Sequence, residues 1–249
     1  MTSCGCSFDP REAGMTANRI DSRLVTLTAP HTFAAERYQG LRLKIEQMRQ
    51  KTGLRVIAVT SPGAGDGKTM TSINLAGVLA RDSNLRVLLI DADLRRSAVS
   101  RQLGLEAGAA GLADLIARSP KPLAATIKRP EICGFDLLPA GSSAMSVQSL
   151  FRSERFGAIL EEARGLYDYV ILDTPPLAPV FDAAVLARAV DGVIVVVAAD
   201  KTPRRLLAVA LDLLDPAKVI GIVFNNDNSP LFGYHTSAYK PYFSAGARR

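Results

Sequence analysis

The chain has 249 residues, 48% of them apolar and 22% charged, enough for one substantial α/β domain with a buried core and too apolar for wholesale disorder. Its formal charge of +6 suits contact with an anionic surface but is too scattered to choose among membrane, nucleic acid and acidic protein. Three cysteines (Cys4, Cys6 and Cys133) and two histidines argue against a disulfide framework or a zinc cluster, the first residues are too polar for a secretory signal, and no apolar stretch reaches membrane-span length, so a cytoplasmic protein is expected.

Residues 1–30 lack periodicity and mix Ser, Gly, Thr, Asp and Arg, the pattern of a flexible arm. Residues 33–50 then carry Tyr38, Leu41, Ile45 and Met48 at three- and four-residue spacing, which predicts an amphipathic helix. Runs rich in Val, Ile and Leu on both parities follow at 54–60, 86–90, 135–139, 168–172, 192–198 and 218–224, as in strands buried on both faces of a parallel sheet. Helical stretches at 68–81, 113–117, 154–166, 183–189 and 204–214 separate them. This alternation predicts an α/β fold: a doubly wound, mostly parallel sheet with an N-terminal helix and ligands at the carboxyl ends of the strands. The domain is expected over residues 31–230, followed by a flexible tail at 231–249.

The segment Ser61-Pro62-Gly63-Ala64-Gly65-Asp66-Gly67-Lys68-Thr69 joins the first strand to a helix running on through Met70. Alternate glycines let backbone N–H groups turn inward around a phosphate, and the helix N-terminus adds partial positive charge. Candidate nucleotide-binding residues are therefore Gly63, Ala64, Gly65, Asp66, Gly67, Lys68, Thr69 and Met70. Lys68 is expected to bridge the β- and γ-phosphates of ATP, and the Thr69 hydroxyl to ligate Mg²⁺. Pro62 stands where the full consensus asks for glycine, so the match is to the core of the motif.

Two more strands end in carboxylates: one runs into Asp91-Ala92-Asp93-Leu94-Arg95, the other into Asp173-Thr174-Pro175-Pro176. Beside a phosphate loop, Asp91 and Asp173 are placed to hold Mg²⁺, directly or through water. The alternative for each is a cap on the following helix. Asn225, after the last strand, suits either a hydrogen bond to an adenine edge or the start of a turn.

Together the three segments resemble the Walker A, A′ and B motifs of the bacterial tyrosine kinases, the autokinases of capsule and exopolysaccharide assembly, and the resemblance runs from about residue 33 to the C-terminus. It implies a P-loop NTPase fold and MgATP-dependent phosphoryl transfer to tyrosine, with Lys68, Asp91, Asp93 and Asp173 as the catalytic set. Asp91 would receive the tyrosine hydroxyl proton or hold Mg²⁺ through water, Asp93 would support it, and Asn225 would contact adenine. The segment Glu36-Arg37-Tyr38-Gln39-Gly40-Leu41-Arg42 is similar to the family's ring-packing helix with Glu, Arg and Arg at three-residue spacing. Glu36 and Arg42 match, and Gln39 replaces the middle arginine, so a homo-oligomer is implied. Min- and Par-type partitioning ATPases share the three motifs but carry a second lysine where this chain has Gly63.

Three of the six tyrosines, Tyr234, Tyr239 and Tyr242, fall in the last 16 residues among Gly, Ser, Lys and Pro, as candidates for autophosphorylation in a neighbour's active site. A tail packed on the domain is the alternative. The resemblance further implies a separate transmembrane polysaccharide co-polymerase or chain-length regulator as activator, recruitment to the inner face of the membrane, and no nucleic-acid partner. Two other readings stand beside it: a switch ATPase positioning a partner on membrane or DNA, and a regulatory ATP-binding subunit without kinase activity.

Overall fold

Strands with apolar residues on both parities leave no face for water, and the central sheet they form is covered on both sides. The edge strand at 219–225, expected to be buried as well, instead leaves Ile222 and Phe224 exposed. The computed structural model describes residues 20–82, 84–106, 108–117, 122–178 and 181–227. Its strands are β1 (Val56–Thr60), β2 (Val87–Asp91), β3 (Asp136–Leu138), β4 (Tyr169–Asp173), β5 (Gly192–Ala198) and β6 (Val219–Asn225). Its α-helices are α1 (Val25–Thr28), α2 (Phe33–Thr52), α3 (Lys68–Leu79), α4 (Val99–Gln102), α5 (Leu112–Ala117), α6 (Val147–Phe151), α7 (Glu154–Leu166), α8 (Asp182–Arg188) and α9 (Arg204–Asp212).

All six strands pair in parallel, in the order β3-β2-β4-β1-β5-β6. Successive side chains alternate between two cores, as the period of a strand requires. Val56, Ala58, Leu88, Ile90, Val170 and Leu172 join one core with residues of α5 to α9. Ile57, Val59, Leu89, Ile171, Ile194 and Val196 join the other with residues around α1 to α4. The predicted doubly wound fold is thus present, with strand ends within two residues of the expected ones. Because β4 lies between β2 and β1, the carboxyl ends of these three strands are neighbours. Asp173 pairs in register with Val59 on one side and Asp91 on the other.

The expected N-terminal helix is α2, opened by the Thr32 hydroxyl accepting from the Ala35 amide. The flexible arm expected at 1–30 is corrected over its second part. Residues 20–30 pack on α3, with Leu24 fully buried and the Thr26 amide donating to Asn74 Oδ1 at 3.0 Å. Gly77 makes the fit possible, since a Cβ there would lie 2.7 Å from Thr26 Oγ1. The contact uses Leu24, Thr26 and Leu27, too few residues to leave a periodic trace. Residues 1–19 and the expected tail at 231–249 lie outside the described residues. Among the described residues, no helix is long and apolar enough to cross a membrane.

Candidate functional site: a phosphate loop facing three carboxylates

The loop at 61–69 leaves β1 and enters α3, and its shape is held by side chains from three directions. Asp66, nearly buried, accepts from the Gly63 amide at 2.9 Å through one oxygen and from the Thr202 hydroxyl at 2.8 Å through the other. Lys201 Nζ donates to the Gly65 carbonyl at 3.3 Å, and Asn225 Nδ2 donates to the Asp66 carbonyl at 3.0 Å. Gly67 has φ of +98°, and a Cβ there would meet Asn225 Nδ2 at 1.9 Å, so only glycine fits the position. The loop is therefore pre-shaped by the β5–α9 connection and by the end of β6, before any ligand enters.

At its far end the loop delivers Lys68 into a buried acidic cluster. Lys68 Nζ lies 2.8 Å from Asp93 Oδ2 and 3.8 Å from Asp173 Oδ1. Asp173 is fully buried and accepts from the Thr69 hydroxyl at 2.7 Å and the Ser72 hydroxyl at 3.0 Å. Asp91, 1% exposed, accepts from the Val99 amide at 3.2 Å and the Asp93 amide at 3.3 Å.

Burial first, and then the charge of Asp173, push the Asp91 carboxyl up to about 7. Burial likewise raises Asp173 above the usual carboxylate range, although Lys68 and the two hydroxyls oppose the rise. Burial works against the charge of Lys68, but Asp173 and Asp93 outweigh it and hold the ammonium's pKa above its ordinary value. The site thus stores surplus negative charge around one cation, an arrangement that favours binding of another.

The residues fit a nucleotide-bound Mg²⁺: Thr69, between Lys68 and Asp173, offers the hydroxyl, and the buried carboxylates lie close behind it. Among the described residues no three His, Cys, Asp or Glu side chains form a closed metal cage. Nor does Mg²⁺ at phosphates need one, since it keeps several waters and takes few protein ligands.

The sequence-predicted residues are thus brought together at one end of the sheet, with two changes of emphasis. Asp93, expected as support for Asp91, is itself the partner of Lys68, while Asp91 also ties down the start of α4 through the Val99 amide. Asn225, expected at adenine, uses its amide on the loop backbone. Away from the site, Glu36 is exposed on α2, whereas Arg42 is engaged within its own chain by Glu46 at 2.6 Å, the Val78 carbonyl at 3.3 Å and Asp82 at 3.5 Å. Tyr234, Tyr239 and Tyr242 lie outside the described residues.

Sequence reasoning missed Ser72, Lys201 and Thr202. Ser72 sits one helical turn after Lys68, a spacing that signals a shared face. Lys201 and Thr202 follow the carboxyl end of β5, where ligands gather in open α/β sheets. Beside the loop is a pocket of about 550 Å³, bounded by Gly65, Lys68, Asp93, Arg95, Arg96 and Arg101 among others.

The AAA domain family matches residues 54–207, which contain the loop and all three carboxylates. The tyrosine-protein kinase YwqD of Bacillus subtilis is 30% identical over 210 residues, covering 84% of this chain and 87% of YwqD. This chain belongs to the bacterial tyrosine-protein kinase family. The succinoglycan biosynthesis transport protein ExoP of Rhizobium meliloti is 34% identical over 221 residues, covering 86% of the chain. The chain spans 28% of ExoP's length, and it spans under a third of other long relatives as well. In structure, the kinase domain of the Escherichia coli tyrosine kinase ETK superposes with a TM-score of 0.76 at 27% identity, covering 90% of each chain. Membership of this kinase family fits a site built to grip phosphates and carry a cation.

Proposed function

We propose that the chain is a protein-tyrosine autokinase using MgATP, acting in the polymerisation and export of capsular or exopolysaccharide. The observation that carries this reading is the convergence of Lys68, Thr69, Asp93 and Asp173 at the phosphate loop. The name of ExoP, a succinoglycan biosynthesis transport protein, supports the polysaccharide setting.

Phosphoryl transfer needs in-line positioning and charge neutralisation more than covalent help from the protein. When ATP binds, Lys68 exchanges Asp93 for the β- and γ-phosphates, and the loop amides take the remaining phosphate charge. Mg²⁺, when bound, would neutralise further charge on the phosphate oxygens. The acceptor tyrosine oxygen forms a bond to the γ-phosphorus as the bond to ADP breaks. Its proton passes to the Asp93 and Asp91 pair. Asp93, released from Lys68, faces the pocket, and Asp91, pushed up to about 7, is a stronger base than an ordinary carboxylate.

Tyr234, Tyr239 and Tyr242 are the proposed autophosphorylation sites, reached by a neighbouring copy. The other three tyrosines support this by elimination: Tyr167 and Tyr169 are buried, and Tyr38 is partly covered on α2. We further propose Glu36 as a contact in the homo-oligomer, and a cytoplasmic protein drawn to the inner membrane face by a transmembrane polysaccharide co-polymerase that activates it. Incubation of the purified chain with labelled ATP, with and without the cytoplasmic segment of such a partner, followed by mapping of the phosphorylated residue, tests the reading. Transfer to tyrosine that rises with the partner supports it; ATP hydrolysis without phosphotyrosine overturns it.

A further inference from the structure

Among the described residues, two arginines beside the reaction carboxylates have side chains without a carboxylate partner, and the backbone holds both in place. The Arg96 amide donates to Asp93 Oδ1 at 3.0 Å, so this residue is tied to the carboxylate that holds Lys68. Arg101 lies on α4, whose first residue, Val99, donates its amide to Asp91. Both side chains are exposed and both border the pocket that contains Lys68 and Asp93. The other cations there are matched: Lys68 by Asp93 and Asp173, and Arg95 by the fully buried Asp182. Arg96 and Arg101 have no carboxylate partner among the described residues, so the mouth of the pocket carries net positive charge.

We infer that Arg96 and Arg101 read carboxylates flanking the acceptor tyrosine, and that the preferred acceptor in solution is an acidic tyrosine segment of another protein. The inference rests on the kinase reading above. The three tail tyrosines are not in such a segment. Residues 228–249 contain three tyrosines with Lys240, Arg248 and Arg249, and no Asp or Glu. Like charge therefore opposes the chain's own tail at this mouth. Within an assembly, tethering supplies the tail at high effective concentration and offsets the poor charge match. A free substrate has no such advantage and depends on complementary charge for its encounter and orientation.

The test uses the full chain, MgATP and two single-tyrosine peptides of equal length, one with Glu and one with Gln at the positions flanking tyrosine. The Glu peptide should show a kcat/KM roughly five- to tenfold higher, the scale of two solvent-exposed charge pairs. That preference should shrink as ionic strength rises. In the Arg96→Gln/Arg101→Gln variant the KM for the Glu peptide should rise to that of the Gln peptide, with little change in kcat or in the KM for ATP. Equal use of the two peptides by the unmodified chain overturns the inference and leaves the kinase reading standing. So does a variant that retains the preference, or one whose only defect is a raised KM for ATP. Absence of phosphotyrosine on both peptides and on the protein itself, with ATP still hydrolysed, overturns the kinase reading and this inference with it.

Discussion

Lys68 Nζ rests 2.8 Å from Asp93 Oδ2, in a site where Asp93 and Asp173 are almost completely buried. The lysine that must grip phosphates is therefore already occupied by a carboxylate. Nucleotide binding is an exchange of partners: the phosphates take the ammonium and release Asp93 toward the pocket. Release of that ion pair thus frees a proton acceptor.

Lys68→Met should abolish phosphoryl transfer, by roughly two to three orders of magnitude or more, because the other ammonium at the loop, Lys201, is held on the Gly65 carbonyl and does not face the carboxylates. It should also lower thermal stability by a few kcal/mol, since the buried carboxylates Asp93 and Asp173 lose the cation that pairs with both. The fold should survive, because these carboxyls can take up protons instead. Transfer assays, circular dichroism and thermal melts check the three parts; near-normal transfer rules out the site assignment.

Asp93→Asn and Asp173→Asn should each cut transfer about a hundredfold, the scale expected when a charged group at a phosphoryl site becomes neutral. For Asp93 the loss should appear in kcat, as it faces the pocket. For Asp173 it should also weaken the dependence on Mg²⁺, as its partner is the Thr69 hydroxyl. Rates within a few-fold of the unmodified chain at saturating Mg²⁺ would reduce either aspartate to a structural cap.

The empty protein should lose stability as pH rises from about 4 to about 7. Asp91 is pushed up to about 7 in the folded chain by burial and by Asp173, whereas an unfolded carboxyl titrates near 4. Within that window the folded state binds more protons than the unfolded state, so raising the pH favours unfolding, by on the order of 4 kcal/mol in total. Asp173 is raised as well and acts in the same direction. Asp168 and Asp191 are depressed, by Arg86 and Arg49 in one case and Arg164 in the other, and their stabilisation is lost only below pH 4. Melts in EDTA at pH 5 and pH 7.5 should therefore show a higher Tm at pH 5. Asp91→Asn should flatten the difference and stabilise the protein at pH 7.5 while impairing transfer about a hundredfold. A Tm that climbs between these pH values contradicts the charge assignment.

Gly67→Ala should destroy nucleotide binding, because its Cβ would collide with Asn225 Nδ2 and φ of +98° disfavours any L side chain. Asn225→Ala removes the collision but also the 3.0 Å bond to the Asp66 carbonyl, so it should weaken binding modestly. The double variant should bind better than Gly67→Ala alone, a positive coupling readable by calorimetric titration. Purely additive effects would mean that the two positions do not touch.

Replacing Tyr234, Tyr239 and Tyr242 together by Phe should remove most autophosphorylation and leave ATP affinity unchanged. Each phosphate adds roughly −1.5 to −2 charge. Beside Lys240, Arg248 and Arg249 this converts a basic tail to an acidic one. Mass spectrometry after incubation with MgATP locates the phosphate; its appearance on Tyr38, Tyr167 or Tyr169 instead would argue against a tail acceptor.

The phosphate loop and the carboxylates at Asp91, Asp93 and Asp173 were legible in the sequence because each depends on neighbours in the chain. Nine consecutive residues make the loop, and an aspartate after a run of Val, Ile and Leu marks where a buried strand reaches the carboxyl edge of the sheet. The doubly wound sheet was legible for the same reason: burial on both faces leaves apolar residues on both parities of β1, β2, β4 and β5. The seat of residues 20–30 was not, because three side chains against α3 leave no period to read.

The tertiary structure alone decided which carboxylate meets Lys68. Both Asp91 and Asp93 follow β2, but the turn there aims Asp91 at the Val99 amide and Asp93 across at α3, and nothing local specifies that direction. It likewise decided that Asn225, 159 residues from its partner, braces the phosphate loop, and that Arg42 is held by Glu46 and Asp82 of its own chain. Side-chain direction at the end of a strand is set by the elements packed against it. Here these come from the order β2-β4-β1-β5-β6, which brings distant parts of the chain to one edge.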